Sequence, residues 1–156
     1  MNPLRAAVFC LLLVLLAGAP GVPALAGEAV RGAVYAPLYQ KALIDHRGRS
    51  LPLTATVYVR NTDPQAGLEV SAVTLYDGRG KVAAKCLEGP RRLAPLASLS
   101  FMAPSAPPGG GAPSLVVRWR APQPVNPPLV QVVMTGAAGQ QGISLITTGA
   151  PLPLRP

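Results

Sequence analysis

Apolar side chains recur in this chain with a period of two, and that pattern restricts its fold more than any other feature. In Leu53-Thr54-Ala55-Thr56-Val57-Tyr58-Val59-Arg60 every odd position is apolar and the even ones are Thr, Thr, Tyr and Arg. This is the pattern of a strand with one face in a core and one in water. Ala97, Leu99 and Phe101 alternate with Ser98, Ser100 and Met102, and Leu115, Val117 and Trp119 with Val116, Arg118 and Arg120. Val130, Val132 and Met134 repeat the pattern more weakly against Gln131, Val133 and Thr135. Further strands are expected over residues 34–39, 68–76, 81–86 and 143–148, and Arg91-Arg92 opens another. Within residues 68–76 the apolar phase slips between Ala72 and Val73, as in a bulge or a strand covered on both faces.

Turn chemistry separates these runs. Asn61-Thr62-Asp63-Pro64 and Asp77-Gly78-Arg79-Gly80 supply residues that start turns or accept positive φ. Residues 104–113 and 123–128 are rich in proline or glycine and read as loops. The 19 prolines interrupt nearly every window that could hold a helix. Pro37 and Pro52 belong on edges or at strand starts, where a missing N–H does no harm. About eight short strands with regular turns predict an all-β fold, an antiparallel β-sandwich of immunoglobulin-like type. Residues 152–156 read as a short flexible tail.

The N-terminus reads as an address. Met1–Arg5 carries one basic side chain, residues 6–19 are apolar, and Pro20, Gly21 and Pro23 then break the run. Ala24-Leu25-Ala26 supplies the small-x-small pattern of a signal-peptidase site, so cleavage is expected after Ala26. Residues 1–26 are thus a signal peptide and residues 27–156 a single exported domain, periplasmic or extracellular. The apolar run is too short for the roughly 20 residues of a membrane span, and no later run is longer, so no transmembrane segment is expected in the mature chain. Cleavage removes Cys10 and leaves Cys86 alone, so no internal disulfide can form and a hydrophobic core must hold the fold.

Few residues can carry chemistry. Cys86 would need a base to become a thiolate, and the lone histidine, His46, sits in the distant loop Asp45-His46-Arg47-Gly48-Arg49. Cys86 is therefore read as structural, or as a redox thiol able to pair between molecules. Lys81 and Lys85 share a strand face, but Cys86 points the other way. A copper carrier would need His46 beside Met102 and Met134, and zinc would need more ligands than one His and one Cys. The carboxylates Glu28, Asp45, Asp63, Glu69, Asp77 and Glu88 are scattered, without the facing pair of a glycosidase. Glycines 109–111 lack the Lys-Ser/Thr of a phosphate loop. No cofactor, metal or catalytic constellation is expected, and the chain is read as a non-enzyme.

The ordered string of short motifs nevertheless resembles a known family. Tyr35-Ala36-Pro37-Leu38-Tyr39 opens it; Arg60-Asn61-Thr62-Asp63, Leu75-Tyr76-Asp77 and Gly80-Lys81 follow. Leu93-Ala94-Pro95-Leu96-Ala97-Ser98, Val117-Arg118-Trp119, Val133-Met134-Thr135-Gly136 and Gln140-Gln141-Gly142-Ile143-Ser144 complete it, spanning roughly residues 34–146. In this order they resemble a bacterial secreted family known as domain of unknown function family 3124. The resemblance implies a small exported β-domain without an established activity. Cys86 departs from it, standing where the family places an aromatic, and Arg118 stands where an acid is expected.

The remaining signal is charge. Fourteen Lys and Arg face six Asp and Glu, a net charge of +8, of which cleavage removes only Arg5. Arg118 and Arg120 share a strand face, and so do Tyr35 and Tyr39 if that strand runs on, while Tyr58 lies on the polar phase of its own strand. Tyr35, Tyr39, Tyr58, Arg118 and Arg120 therefore form the candidate interaction surface. Trp119 and Phe101 fall on apolar phases and are assigned to the core. Export makes nucleic acid an improbable partner and favours an unknown protein or an anionic envelope component. The sequence reads as an exported, non-enzymatic binding or structural module. A thiol-dependent or carbohydrate-active enzyme is the alternative, and a copper carrier comes after it.

Overall fold

A computed structural model describes residues 29–106, 111–139 and 141–153. The expected signal peptide and its cleavage site lie outside them. Twelve strands are formed among the described residues: β1 (Ala29–Pro37), β2 (Lys41–Leu43), β3 (Ser50–Pro52), β4 (Thr54–Arg60), β5 (Leu68–Tyr76), β6 (Val82–Lys85), β7 (Arg91–Leu93), β8 (Ser98–Met102), β9 (Ser114–Val125), β10 (Leu129–Ala138), β11 (Gln141–Thr148) and β12 (Ala150–Leu152). Pairing is antiparallel throughout. One sheet has six strands in the order β12-β1-β9-β5-β6, with β7 also on β5; a second runs β11-β10-β4-β8; β2 and β3 form a hairpin.

The all-β expectation holds, but the immunoglobulin-like sandwich of about eight strands does not. The strands form three open sheets of six, four and two, none closed into a sandwich. Two physical causes separate expectation from structure. Strands of three residues, as in β2, β3, β7 and β12, are too short to show a period. Alternation also reports which side chains face inward, not which strand lies alongside: β1 pairs with β9 and β12, both distant in sequence.

Residues 123–125, expected in a loop, belong instead to β9. Past Arg120 this strand has lost β5, whose register ends at Glu69↔Arg120, and keeps β1 on one side. Pro122 and Pro124 therefore sit where one edge needs no donor. Leu152, expected in a loose tail, pairs with Ala33. Residues 154–156 of that tail lie outside the described residues.

The core draws on the inward phases of both larger sheets. Val34, Val70, Val73, Leu75, Leu115, Val117 and Trp119 come from the first, and Ala55, Val57, Val59, Val130, Val132 and Met134 from the second. On β4 the alternation is realised side chain by side chain, with Ala55, Val57 and Val59 buried between Thr54, Tyr58 and Arg60. In β5 the register against β9 shifts between Val70 and Ala72, one step before the slip seen in the sequence. The extra residue turns both Val70 and Val73 inward, and both are buried. Trp119 is 3% exposed and lies across from Gly32 on β1. A Cβ there would come within 2.9 Å of the indole Nε1, so glycine makes the space the ring fills.

A buried polar corner pins the loops at one end of the sheets. Asn61 Nδ2 donates to the carbonyls of Ala66 (2.8 Å) and Ala94 (2.9 Å), and its Oδ1 accepts from Asp63 N. The Asp63 carboxylate accepts from the backbone of Gln65, Ala66 and Asn126. Leu96, held at φ 58, donates its N–H to the Asp63 carbonyl. Two of the short sequence motifs, around residues 60–63 and 93–98, thus meet in one hydrogen-bond network. These backbone donors hold the Asp63 carboxyl below its ordinary pKa.

Candidate functional site

The outward phase of the six-stranded sheet gathers most of the strand cations. Antiparallel partners share a face, so the register reads as rows across it. One row runs Arg92 (β7), Glu69 (β5), Arg120 (β9), Arg31 (β1). The next holds Ala72, Arg118, Ala33 and Leu152, and a third Lys85, Thr74, Val116, Tyr35 and Ala150. Five cations, Arg31, Arg92, Arg118, Arg120 and Lys85, thus share this face with one described carboxylate, and Arg92 and Arg120 are the two that pair with it.

Glu69 is the hinge of the arrangement. Arg120 Nε donates to Glu69 Oε1 at 2.7 Å and Nη2 lies 2.6 Å from the same oxygen, while Arg92 Nε stands 3.8 Å from Oε2. The glutamate side chain is 17% exposed, against 91% for Arg92 and 65% for Arg120. The two guanidinium groups therefore reach water from a carboxylate that hardly does. Among the described residues Arg31 and Arg118 have no acidic partner. Beside the row, Gly67, Leu68, Leu93, Ala94, Ala121 and Pro122 complete an open groove of about 890 Å³ with Glu69, Arg92 and Arg120. Such a groove offers fork-shaped donors to an oxyanion, with Glu69 as the resident competitor.

The structure divides the surface expected from the sequence. Tyr35, Arg118 and Arg120 share the face just described, with Tyr35 41% exposed. Tyr58 stands on the outer face of the other sheet, half-buried, with the Arg60 guanidinium 5.4 Å from its ring centre. Tyr39 follows β1 instead of continuing it. Its N–H donates to Met134 Sδ, and its ring lines a second groove of about 900 Å³ with Leu43, Pro113 and Leu145. The three tyrosines therefore do not form one aromatic surface. Glu69, Arg31, Arg92 and Lys85 are the members absent from the surface expected from the sequence. Only the register assembles them, although Glu69 as the one charge on β5 was a signal in itself.

Cys86 is half-buried against the core, and its N–H donates to the Val73 carbonyl. Burial pushes its thiol pKa up, the opposite of what a nucleophile needs. His46 lies exposed in the β2–β3 turn, where the Asp45 carboxylate accepts from the backbone of Arg47 and Arg49. The Arg49 guanidinium, more than any other group, holds the Asp45 carboxyl below its ordinary pKa. Met134 is buried, whereas Met102 is 68% exposed on the outer face of β8, so the two sulfurs point to opposite sides of one sheet. Among the described residues no three His, Cys, Asp or Glu side chains cluster as metal ligands. Nor is any helix there long and apolar enough to cross a membrane.

A family profile described as "Protein of unknown function (DUF3124)" matches residues 31–152, nearly the whole described chain. The chain belongs to this family. The DUF3124 match runs from the start of the cationic row, Arg31, to Leu152 of β12, so both larger sheets fall inside it. No curated protein matches the chain. A solved structure titled "Crystal Structure of Thermotoga maritima 1070" is similar at 12% identity and a TM-score of 0.45, covering 76% of this chain and 92% of that one. A likeness that loose carries no argument about function.

Proposed function

We propose that this DUF3124 protein is an exported, non-enzymatic binding module of the bacterial envelope that presents the outer face of its six-stranded sheet to a phosphate-bearing anionic surface. The observation that carries the reading is the gathering of Arg31, Arg92, Arg118, Arg120 and Lys85 on one sheet face, where Glu69 is the single acid among the described residues of those rows. The net charge, +8 in the full chain less Arg5 on cleavage, adds a field that draws anions in from a distance. The open groove beside Glu69 suits an extended or multivalent ligand better than an enclosed small molecule. The upward shift of the Cys86 thiol supports this reading over a thiol-dependent enzyme, and the divergent Met102 and Met134 support it over a copper carrier.

Binding to phosphatidylglycerol-containing vesicles, with phosphatidylcholine vesicles as reference, tests the reading, and soluble polyphosphate separates lipid from free polymer. The protein binds the phosphate-bearing probe, salt weakens the binding, and Arg118→Glu abolishes it, while Arg60→Glu on the opposite sheet leaves it intact. Equal binding by Arg118→Glu and the wild type, or none to either anionic probe, would overturn the proposal. Export has its own test. Mass spectrometry of the exported protein should find Gly27 at or near its N-terminus, and an intact Met1 would refute the signal-peptide reading.

A further inference from the structure

We propose that β11 is a self-association edge, through which two copies of this chain pair their four-stranded sheets into one continuous sheet. The inference is independent of the anion-binding face and rests on a comparison of the strand edges. A free edge presents unpaired backbone N–H and C=O groups, and proteins guard such edges with charge, proline, bulges or brevity. On the six-stranded sheet, β6 ends in Lys85, β7 carries Arg91 and Arg92, and β12 has three residues including Pro151. On the four-stranded sheet, β8 has five residues.

β11 has none of these guards. It runs for eight residues, Gln-Gly-Ile-Ser-Leu-Ile-Thr-Thr, without a charge or a proline. Its pairing to β10 continues from Gln131↔Thr148 to Ala138↔Gln141 without a register shift, so no bulge twists the edge away. It is also apolar where it meets water: Ile143 is 36%, Leu145 41% and Ile146 64% exposed.

The occupant is a second copy because β11 is complementary to itself. Antiparallel pairing about a two-fold axis at Ser144 sets Ile143 of one copy opposite Leu145 of the other, and the same pair recurs across the axis. Gly142 then falls opposite Ile146, where the absence of a side chain leaves that residue room. Charge permits the approach. A chain of net charge +8 repels its copies over most orientations, but β4, β8, β10 and β11 together carry one charged side chain, Arg60. The dimer joins two uncharged edge strands, with Lys41 of the groove beside Leu145 as a neighbouring cation, and leaves the cationic sheet of each copy free.

Sedimentation of the purified protein across a concentration series tests the proposal. The wild type sediments as a reversible dimer, and either Leu145→Lys or Ile146→Lys raises its dissociation constant by roughly tenfold or more by setting lysines at the joint. Both side chains are solvent-exposed, so unchanged circular dichroism and melting temperature establish that the variants fold. Hydrogen exchange adds a local readout: the amides of β11 gain protection with concentration, and those of β8 do not. A wild type that stays monomeric at the highest concentration reached overturns the proposal. So does a dimer indifferent to both lysines, or one abolished by Cys86→Ser, which would assign the contact to a disulfide.

Discussion

Replacing Gly32 by alanine adds one methyl group at the point where β1 passes under the Trp119 indole. The new Cβ would lie 2.9 Å from Nε1 and 3.0 Å from Cε2 and Cζ2. Comfortable carbon contacts fall near 3.5–4.0 Å, so the ring must retreat by about half an ångström or more. It has little room, since Trp119 is buried among Val70, Val117 and Val125 on the closely packed inward phase. Overpacking of this kind costs about 1–3 kcal/mol. Alanine restricts the unfolded chain more than glycine and recovers about 0.4–1 kcal/mol of that. The net expectation is a loss of about 1–2 kcal/mol, or a fall in Tm of about 4–8 °C. The chain has one tryptophan, so denaturant unfolding can be followed by its own fluorescence, and the native emission of Gly32→Ala should shift as the ring moves. In a Trp119→Leu background, followed by circular dichroism, the cost of Gly32→Ala should vanish. Gly32→Ala as stable as the wild type, or equally costly in both backgrounds, would refute the claim that the indole occupies the glycine's space.

Three further outcomes are expected. Asn61→Ala removes two donated hydrogen bonds and one accepted, and should cost about 2–4 kcal/mol in urea unfolding, with no change in anion binding. Asp63 has a folded pKa below its unfolded one, so its stabilising effect is complete above the unfolded value near 4 and is lost as pH falls through the folded value; acid titrations of stability should be shallower below pH 4 in Asp63→Asn. Cys86 should alkylate slowly at neutral pH and no more slowly in His46→Ala, since burial raises the thiol pKa and the imidazole takes no part.

The sequence showed the strands more clearly than their neighbours. Residues 54–60 and 115–120 alternate because each puts one face in the core, residues 68–76 alternate on either side of one slip, and all three are strands. Tyr35, Arg118 and Arg120 were legible as outward-facing by the same rule. That Glu69 lies between Arg92 and Arg120 was not, because the row exists only through two registers that bring together residues from distant parts of the chain. Tyr39 was misplaced for a local reason. The strand ends at Pro37, and the chain turns away to let the Tyr39 amide reach Met134. The prolines of β9 misled in the opposite sense, since a strand that has lost one neighbour tolerates them.

The position of β1 bears on when the molecule can assemble. It is the first strand described, yet its neighbours in the sheet are β9 and β12. A chain emerging from the ribosome exposes Val34 and Ala36 long before Val117 or Leu115 exists to cover them. Pairings that close such large loops form late and slowly, because the entropy of closure is lost before the contacts are gained. The six-stranded sheet is therefore finished only once β9 and β12 have both been made. Under the export proposed above, such late closure would keep the chain extended while it crosses the membrane.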